Sequence, residues 1–540
     1  MTVKILFKFV EKGINLSPDA YNKILTLNDP LNFTSSLIEQ IENNENSNSD
    51  LVSLDESIIE EFIKKFGLDT SKRNNDESEI PNLNGETPIP TENNSISMEK
   101  KPHPTEIKPI PVEDTPITKE NNSISKKIKR NILKPDMEYN FEVIQDTSKK
   151  SYTSGEINNL ITYFKNRYEK ISSILSKRAE LKVHQKISDI TDDTEDINII
   201  GMIKSIRNTK NNHKIIEIED GTGELSFLVH NENVELFNIA EKLVNDEVIG
   251  LLGDNRGNLI IASRIIQPGV QRVAEKEMDF AAVFTSDIHI GSLTFQEEAF
   301  IKFIKWLNGD FGSDEQREIA NDVKYLLIAG DIVDGIGVYP NQDKELAIKD
   351  IEIQYEEAAR YLGDLRSDIK IIISPGNHDA SRLAEPQPAI PDKYAKSLYE
   401  LNNVEFISNP GIVSLDGINT LMYHGRGFDD MAMTVKGMSH EKNDLIMEEM
   451  LNKRHLAPIY GERTPLASEL EDYLVIDNVP DVFHTGHVHI NRYRKYNGVH
   501  MINSGTFQTQ TEFQKIYNIV PTCGEVPVLH KGVYKQLKFI

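Results

Sequence analysis

The stretch "IKIIISPGNHDASRLAEPQPA", residues 369–389, runs from an apolar segment, Ile369 to Ser374, into a Pro-Gly break and then sets Asn377, His378 and Asp379 side by side. A short apolar run bounded by a turn signal reads as a buried strand. The amide, imidazole and carboxylate at its end are donor types that a metal-dependent active site needs, although a turn after a core strand can carry the same residues without chemistry. Four more segments repeat the design: "FAAVFTSDIHIG" (280–291), "VKYLLIAGDIVDG" (323–335), "NTLMYHGRG" (419–427) and "DVFHTGHVH" (481–489). Between several of them lie helices such as "FQEEAFIKFIKWL", whose Phe300, Phe303, Ile304 and Leu307 share one face. Buried strands alternating with helices indicate an α/β core, and ligands of open α/β sheets bind outside the strand ends.

Upstream the pattern changes. Five strand-like runs between 186 and 270, with a helical stretch over 231–243 after the third, match the five-stranded barrel called the OB-fold. Phe227 is the sole aromatic inside those strands, so packing against protein is at least as good a use as stacking bases. Residues 136–185 read as a helical lead-in, with an amphipathic helix over 154–180 and Ser154 as its N-cap candidate. Residues 67–135 turn to Asn, Ser, Glu, Lys and Pro, and an imperfect duplication, "ETPIPTENNSIS" and "DTPITKENNSIS", lies among them. Such a tract cannot bury enough apolar area to offset chain entropy and reads as a disordered linker. Residues 1–66 read as a small helical domain, and 278–540 as the domain that carries the loaded strand ends.

Composition narrows the classes. Lys+Arg number 60 against 85 Asp+Glu, a net charge of −25, so a dedicated nucleic-acid binder that grips phosphates unaided is the wrong class. A single cysteine, Cys523, excludes a disulfide framework and fits a reducing cytoplasm. No apolar stretch approaches the ~18 residues of a membrane span, so no membrane partner is expected.

The strand ends collect Asp287, His289, Asp331, Asn377, His378, His424, His487 and His489, which include five of the fourteen histidines. Any one of them is most often a hydrogen-bonded core or rim residue. Several strands ending alike point instead to a site. Imidazole and carboxylate donors suit borderline divalent ions such as Mn, Zn or Fe. A pair of such ions about 3.5–4 Å apart clamps both the attacking and leaving oxygens of a phosphoryl transfer. One carboxylate must bridge them, and Asp331 after "LLIAG" is the natural choice. Asn377 can offer its carbonyl oxygen to a metal, leaving His378 free to give a proton to the leaving oxygen. Asp379 either orients that imidazole or caps the turn. Asp334 reads as loop support, and Asp429 and Asp430 as the first turn of a helix. Arg382 and Arg426, beside these motifs, either hold a phosphate or pair with local carboxylates. Phe507 and Phe513 read as core.

The order "DIH", "GDIVDG", "GNHD", "YHGR" and "GHVH" resembles the calcineurin-like metallophosphoesterase superfamily, a layered α/β sandwich. The longer phrases "GDIVDGIGVYPNQDKELAIKDIEIQYEEAARYL", "SPGNHDASRLAEPQPA", "YHGRGFDD", "KRHLAPIYGE" and "INSGTFQTQTEFQK" resemble the small subunits of archaeal family-D DNA polymerases over roughly 136–540. The resemblance implies a metal-dependent 3′→5′ exonuclease that proofreads for a separate, large polymerase subunit and acts on a single-stranded or mispaired DNA 3′ end. A sliding clamp is a further candidate partner. Carried over by motif, one metal takes Asp287, His289, Asp331 and His489, and the other takes Asp331, Asn377, His424 and His487. The metal is expected to be Mn first, with Zn or Fe as alternatives, and His378 is the general acid. The competing expectation is a scaffold that docks the large subunit without catalysis.

Overall fold

The computed structural model describes residues 15–16, 23–24, 33–34, 37–38, 53–54, 108–112, 139–150, 153–256, 259–516 and 519–540. Two compact units divide the chain, Met1–Glu99 and Lys100–Ile540. In the first, Asn15–Leu16 pairs in parallel with Ser53–Leu54, a strand contact the helical expectation for 1–66 did not include. Ile24, Phe33, Leu37 and Ile38 are buried there. Most of that expectation, and most of the 67–135 linker, lies outside the described residues.

The second unit begins with a correction. Within the expected disordered linker, Ile110–Pro111 forms a short strand, and within the expected helical lead-in β1 (Phe141–Gln145) is another. Both add to sheets formed much later in the chain. The reason is local: "KPIPV" and "FEVIQ" each carry alternating apolar residues, and an edge position tolerates proline because one side of its backbone needs no partner. Helix α1 (Ile157–Leu175) follows, and its buried face is Tyr163, Arg167, Ile171 and Leu175, four residues apart each time. Its N-cap position is Glu156, with no side-chain cap, and not Ser154.

Strands β2 (Asp196–Asn208), β3 (Lys214–Glu219), β4 (Glu224–Val229), β5 (Val248–Asn255) and β6 (Ile260–Ile266) close into a barrel in the order β2-β3-β4-β6-β5. Helix α2 (Val234–Ala240) lies between β4 and β5 and is capped by the Asn233 side chain on Leu236 N. The barrel is filled by Ile199, Ile216, Phe227, Leu251 and their neighbours. Phe227 is fully buried, which removes it as a base-stacking platform.

After the barrel come β7 (Ala281–Thr285), α3 (Glu297–Leu307), α4 (Asp314–Asp322), β8 (Val323–Ala329), α5 (Ile351–Gly363), β9 (Lys370–Ser374) and β10 (Val404–Phe406). They are followed by β11 (Gly411–Leu415), β12 (Ile418–Met422), α6 (Gly427–Thr434), α7 (Asn443–Lys453), β13 (Val482–Thr485), β14 (Arg492–Tyr496) and β15 (Val499–Asn503). The chain ends with α8 (Glu512–Ile516), β16 (Glu525–His530) and β17 (Val533–Lys538). One sheet runs β10-β9-β8-β7-β16-β17-Ile110–Pro111, with β7 to β10 parallel. The other runs β14-β15-β13-β12-β11-β1, with β12, β13 and β15 parallel.

The sheets bury a shared core that includes Phe284, Tyr325, Leu327, Ile372, Met422 and Ile502. Helices cover the outer faces. Phe300, Phe303, Ile304 and Leu307 of α3 join the core beneath the first sheet, each worth roughly 1.5–3 kcal/mol of burial. Ile446, Met447 and Met450 of α7 pack over Phe483 and Met501 of the second. The result is a helix–sheet–sheet–helix stack. Parallel neighbours put the C-terminal ends of β7, β8 and β9 at one edge, and β12 and β13 do the same in the facing sheet.

Candidate metal centre

Each site residue sits just past one of those ends. Asp287 and His289 follow β7, Asp331 follows β8, Asn377 and His378 follow β9, His424 follows β12, and His487 and His489 follow β13. The turns are tight enough that five of these residues adopt left-handed backbone: Asp287 (φ 51°), His289 (56°), Asp331 (53°), His487 (71°) and His489 (59°). That region is costly for residues with a Cβ, and strain of this kind gathers where a fold holds side chains for chemistry. Gly330 (φ 89°) makes the Asp331 turn possible, since a Cβ there would come within 2.7 Å of the Gly376 Cα.

Three overlapping groups of ligand atoms, each mutually within 4.8 Å, can hold metal ions: Asp287–His289–His489, His289–Asp331–His378 and Asp287–Asp331–His424. Asp331 lies between them. Its Oδ2 is 3.9 Å from His289 Nε2 and 3.3 Å from His424 Nε2, and its Oδ1 accepts a hydrogen bond from His378 N at 2.8 Å. His489 Nε2 lies 3.1 Å from His289 Nε2 and 3.4 Å from Asp287 Oδ1. Asn377 Oδ1 is 3.1 Å from His424 Nε2. His487 stands outside the three groups, with its ring 5.2 Å from that of His424.

The histidines are oriented from behind. His289 Nδ1 lies 2.9 Å from Asp334 Oδ1, His424 Nδ1 2.9 Å from the Ala329 carbonyl, His487 Nε2 3.2 Å from Asp429 Oδ2, and His489 Nδ1 2.8 Å from the Gln514 amide. Anchoring one ring nitrogen fixes which nitrogen the other partner meets. Asp334 thus supports the loop, as expected, and also aims His289. Asp429 does sit in the first turn of α6, but its carboxylate joins His487 to His440, whose Nε2 is 3.0 Å away. Asp429 in this role, His440, Gln514 and Arg463 escaped sequence reading. Asp429 and Gln514 fall inside the phrases "YHGRGFDD" and "INSGTFQTQTEFQK", yet the letters do not name His487 and His489 as their partners, 58 and 25 residues away.

The electrostatics follow from burial. Burial alone disfavours ionisation of Asp331, yet His424, His378 and His289 hold its carboxyl well below the ordinary range. Asp287 is also lowered, against its burial, by His489. Burial works against the His424 imidazolium, but Asp331 and Asp287 push it up to about 10. Among the described residues neither carboxylate has a Lys or Arg ion-pair partner within 4 Å, so two buried negative charges face one another across imidazoles. Paired buried acids without a fixed cation are costly, and a divalent ion is the partner such a donor set suits.

The remaining candidates separate cleanly. Asp379 accepts hydrogen bonds from Asp331 N (2.8 Å), Gly376 N (2.9 Å) and Tyr355 Oη (3.1 Å). The His378 Nδ1 partner is the Asp334 carbonyl at 2.7 Å, so Asp379 braces the turn and does not orient His378. Burial, then the Asp331 charge, raises the Asp379 carboxyl to about 7. Asp430 braces a neighbouring loop through Arg463 N and Thr464 N. Arg382 pairs with Glu469 at 2.7 Å and is structural. Phe507 is core, packed on Phe300 and Phe303, whereas the Phe513 side chain lies outside the described residues. Cys523 is half-buried, and burial lifts its thiol to about 12.

The ligand atoms open on a cleft of about 300 Å³ that Tyr339, Arg426, His440 and Arg463 also line. No helix among the described residues is long and apolar enough to cross a membrane.

Residues 282–494 match the family model for the B subunits of DNA polymerase alpha/epsilon. The chain is 65% identical over 404 residues to the DNA polymerase II small subunit of Methanothermobacter thermautotrophicus, covering 75% of this chain and 84% of that one. It is 43% identical over 400 residues to the Archaeoglobus fulgidus small subunit (72% and 79% covered) and 40% over 403 residues to that of Methanocaldococcus jannaschii (73% and 68%). A solved archaeal phosphodiesterase aligns with 48% of this chain and 99% of its own at 17% identity and a TM-score of 0.24, too slight a likeness to bear on the fold. On the relatives' identity and coverage, the chain belongs to the family of archaeal DNA polymerase II small subunits.

Proposed function

We propose that this small subunit carries a working two-metal 3′→5′ exonuclease that removes nucleotides from single-stranded or mispaired DNA 3′ ends for a large polymerase subunit. On this reading 278–540 is the phosphoesterase domain, of calcineurin-like type, and 186–270 an OB-fold barrel. The observation that carries it is the buried Asp331 carboxylate standing within 4 Å of imidazoles from both sheets, with no fixed cation beside it. Asp287, His289, Asp331 and His489 would hold one ion, and Asp331, Asn377, His424 and His487 the other. Bound divalent ions, Mn foremost, supply charge neutralisation at the phosphoryl group and a water activated at neutral pH.

The chain's own residues do the rest. Asp334 serves twice: its carboxylate fixes His289, and its carbonyl takes the Nδ1–H of His378. With Nδ1–H held by that carbonyl, His378 acts as an acid from Nε2 in its doubly protonated form and is left as the neutral ring after giving that proton up. It donates to the departing 3′-oxygen as the phosphorus–oxygen bond breaks, which spares the product an alkoxide. Asp429 and Gln514 keep His487 and His489 from rotating away. A docking scaffold would gain nothing from two buried, cation-free carboxylates and five strained backbone positions.

The test is a labelled primer–template with a 3′ mismatch, incubated with Mn²⁺ and the chain, with and without the large subunit. Stepwise shortening from the 3′ end by wild type, lost in Asp331→Ala and His378→Ala, is expected. No shortening even in the assembled complex would leave the docking role alone.

A further inference from the structure

The chain is acidic overall, with a net charge of −25, yet one wall of the cleft is basic. Arg426 and Arg463 both line it, together with His440. They come from segments 37 residues apart, drawn together by one brace: Asp430 accepts from Arg463 N at 2.9 Å and from Thr464 N at 3.0 Å, and Thr464 Oγ1 donates to the Arg426 carbonyl at 3.1 Å. Three acids around them are held by other groups. Asp429 is taken by His440 and His487, Asp430 by backbone N–H groups, and Glu385 by Tyr423 Oη and Asn409. Among the described residues neither arginine has an ion-pair partner, whereas Arg382 does. The buried Nε of Arg426 also lacks any hydrogen-bond acceptor. A guanidinium fork left open beside a phosphoryl-transfer centre is matched by a phosphate.

Resting on the nuclease reading above, we propose that Arg426 and Arg463 form a second phosphate subsite, which grips the backbone phosphate next to the one being cut. The subsite makes the cleft prefer polynucleotide ends, with consecutive phosphates, over isolated phosphate esters. It also supplies locally the backbone attraction that the chain's overall charge denies it.

The experiment compares the full chain with Arg426→Gln, Arg426→Lys and Arg463→Gln on two substrates under Mn²⁺: a single-stranded oligodeoxynucleotide and bis(p-nitrophenyl) phosphate, a small diester without a neighbouring phosphate. The expected result is that the kcat/KM ratio, oligonucleotide over small diester, falls about tenfold in R426Q, mainly through KM, with R426K losing less. In wild type, a neutral methylphosphonate at the neighbouring linkage should reproduce the loss, and R426Q should add little to it. Equal losses on both substrates, or none, would overturn the subsite. If wild type hydrolyses neither substrate, the nuclease reading falls while the subsite is still judged by binding. Anisotropy of the labelled oligonucleotide should then show log Kd against log salt made shallower by about 0.7 for each arginine removed. An unchanged slope would reject it.

Discussion

Asp472 and Asp331 are both buried, and each has an imidazole close by: His455 Nε2 lies 2.9 Å from Asp472 Oδ2, and His424 Nε2 lies 3.3 Å from Asp331 Oδ2. Their histidines behave oppositely. Burial, then the nearby Arg167, pushes His455 down to about 4, whereas His424 is driven up to about 10 despite its burial. The difference is a fixed cation. Arg167, itself fully buried on α1, places Nε 2.7 Å from Asp472 and spends its other donors on Tyr163 Oη and on the Asp246 and Pro458 carbonyls. That cluster is complete, and it ties α1 and the barrel to the sheets. The centre at the strand ends is left short of fixed positive charge, so Asp331 and Asp287 draw a proton onto His424 against its burial. A closed cluster stabilises, and an open one binds.

The comparison breaks most readily on activity. His378→Ala should cost about 10²–10⁴-fold in Mn²⁺-dependent cleavage, the ordinary worth of a general acid, and Asp331→Ala should leave only background. Arg167→Ala should do the reverse. It should lower the free energy of unfolding in urea by about 3–5 kcal/mol, because Asp472 is left buried and unpaired, while the folded fraction still cleaves. In EDTA, Asp331→Asn should cost less than that, since the charge it removes is balanced only by the His424 imidazole, which can release its proton, and not by a permanent cation. A comparable cost in both variants would erase the distinction between open and closed clusters.

Acid should sharpen the contrast next. His455 has a folded-state pKa of about 4, below the ordinary imidazole value of about 6.5. Its contribution is complete above the unfolded value and is lost as pH falls through the folded one. Urea midpoints taken between pH 7 and 4 should therefore fall, by roughly 3 kcal/mol for this group, and less so in His455→Gln. Mn²⁺ should raise the melting temperature of wild type by the equivalent of about 2.7 kcal/mol at a hundredfold excess over Kd, and leave Asp331→Ala unmoved. Smallest is the orienting layer: Asp334→Asn and Asp429→Asn should each weaken Mn²⁺ binding or cleavage by about 10–100-fold.

Much of the fold was legible because its signals are local. The apolar runs ending at Thr285, Ala329, Ser374, Met422 and Thr485 are strands, the barrel has its five strands with the helix after the third, and α3 buries the face its periodicity named. The misses have one cause. β1 and Ile110–Pro111 alternate over too few residues to mark a strand by themselves, and their pairing partners lie far along the chain, at Gly411–Leu415 and Leu537–Lys538. Asp379 was left between two roles for the same reason, since its partners at Asp331 and Tyr355 come from the turn after β8 and from helix α5.

The sequence by itself determined which chemistry the strand ends carry. Strand period and turn composition are short-range properties, and Asp-x-His, Gly-Asp, Gly-Asn-His and Gly-His-x-His are spelled within a few residues. Tertiary structure alone decided how those groups are aimed and charged. Asp334 reaches back 45 residues to His289, and Asp429 reaches across 58 to His487. Arg382 found Glu469 while Arg426 was left open toward the cleft. Orientation and charge balance depend on through-space distance, which the packing of two sheets sets and neighbouring letters do not.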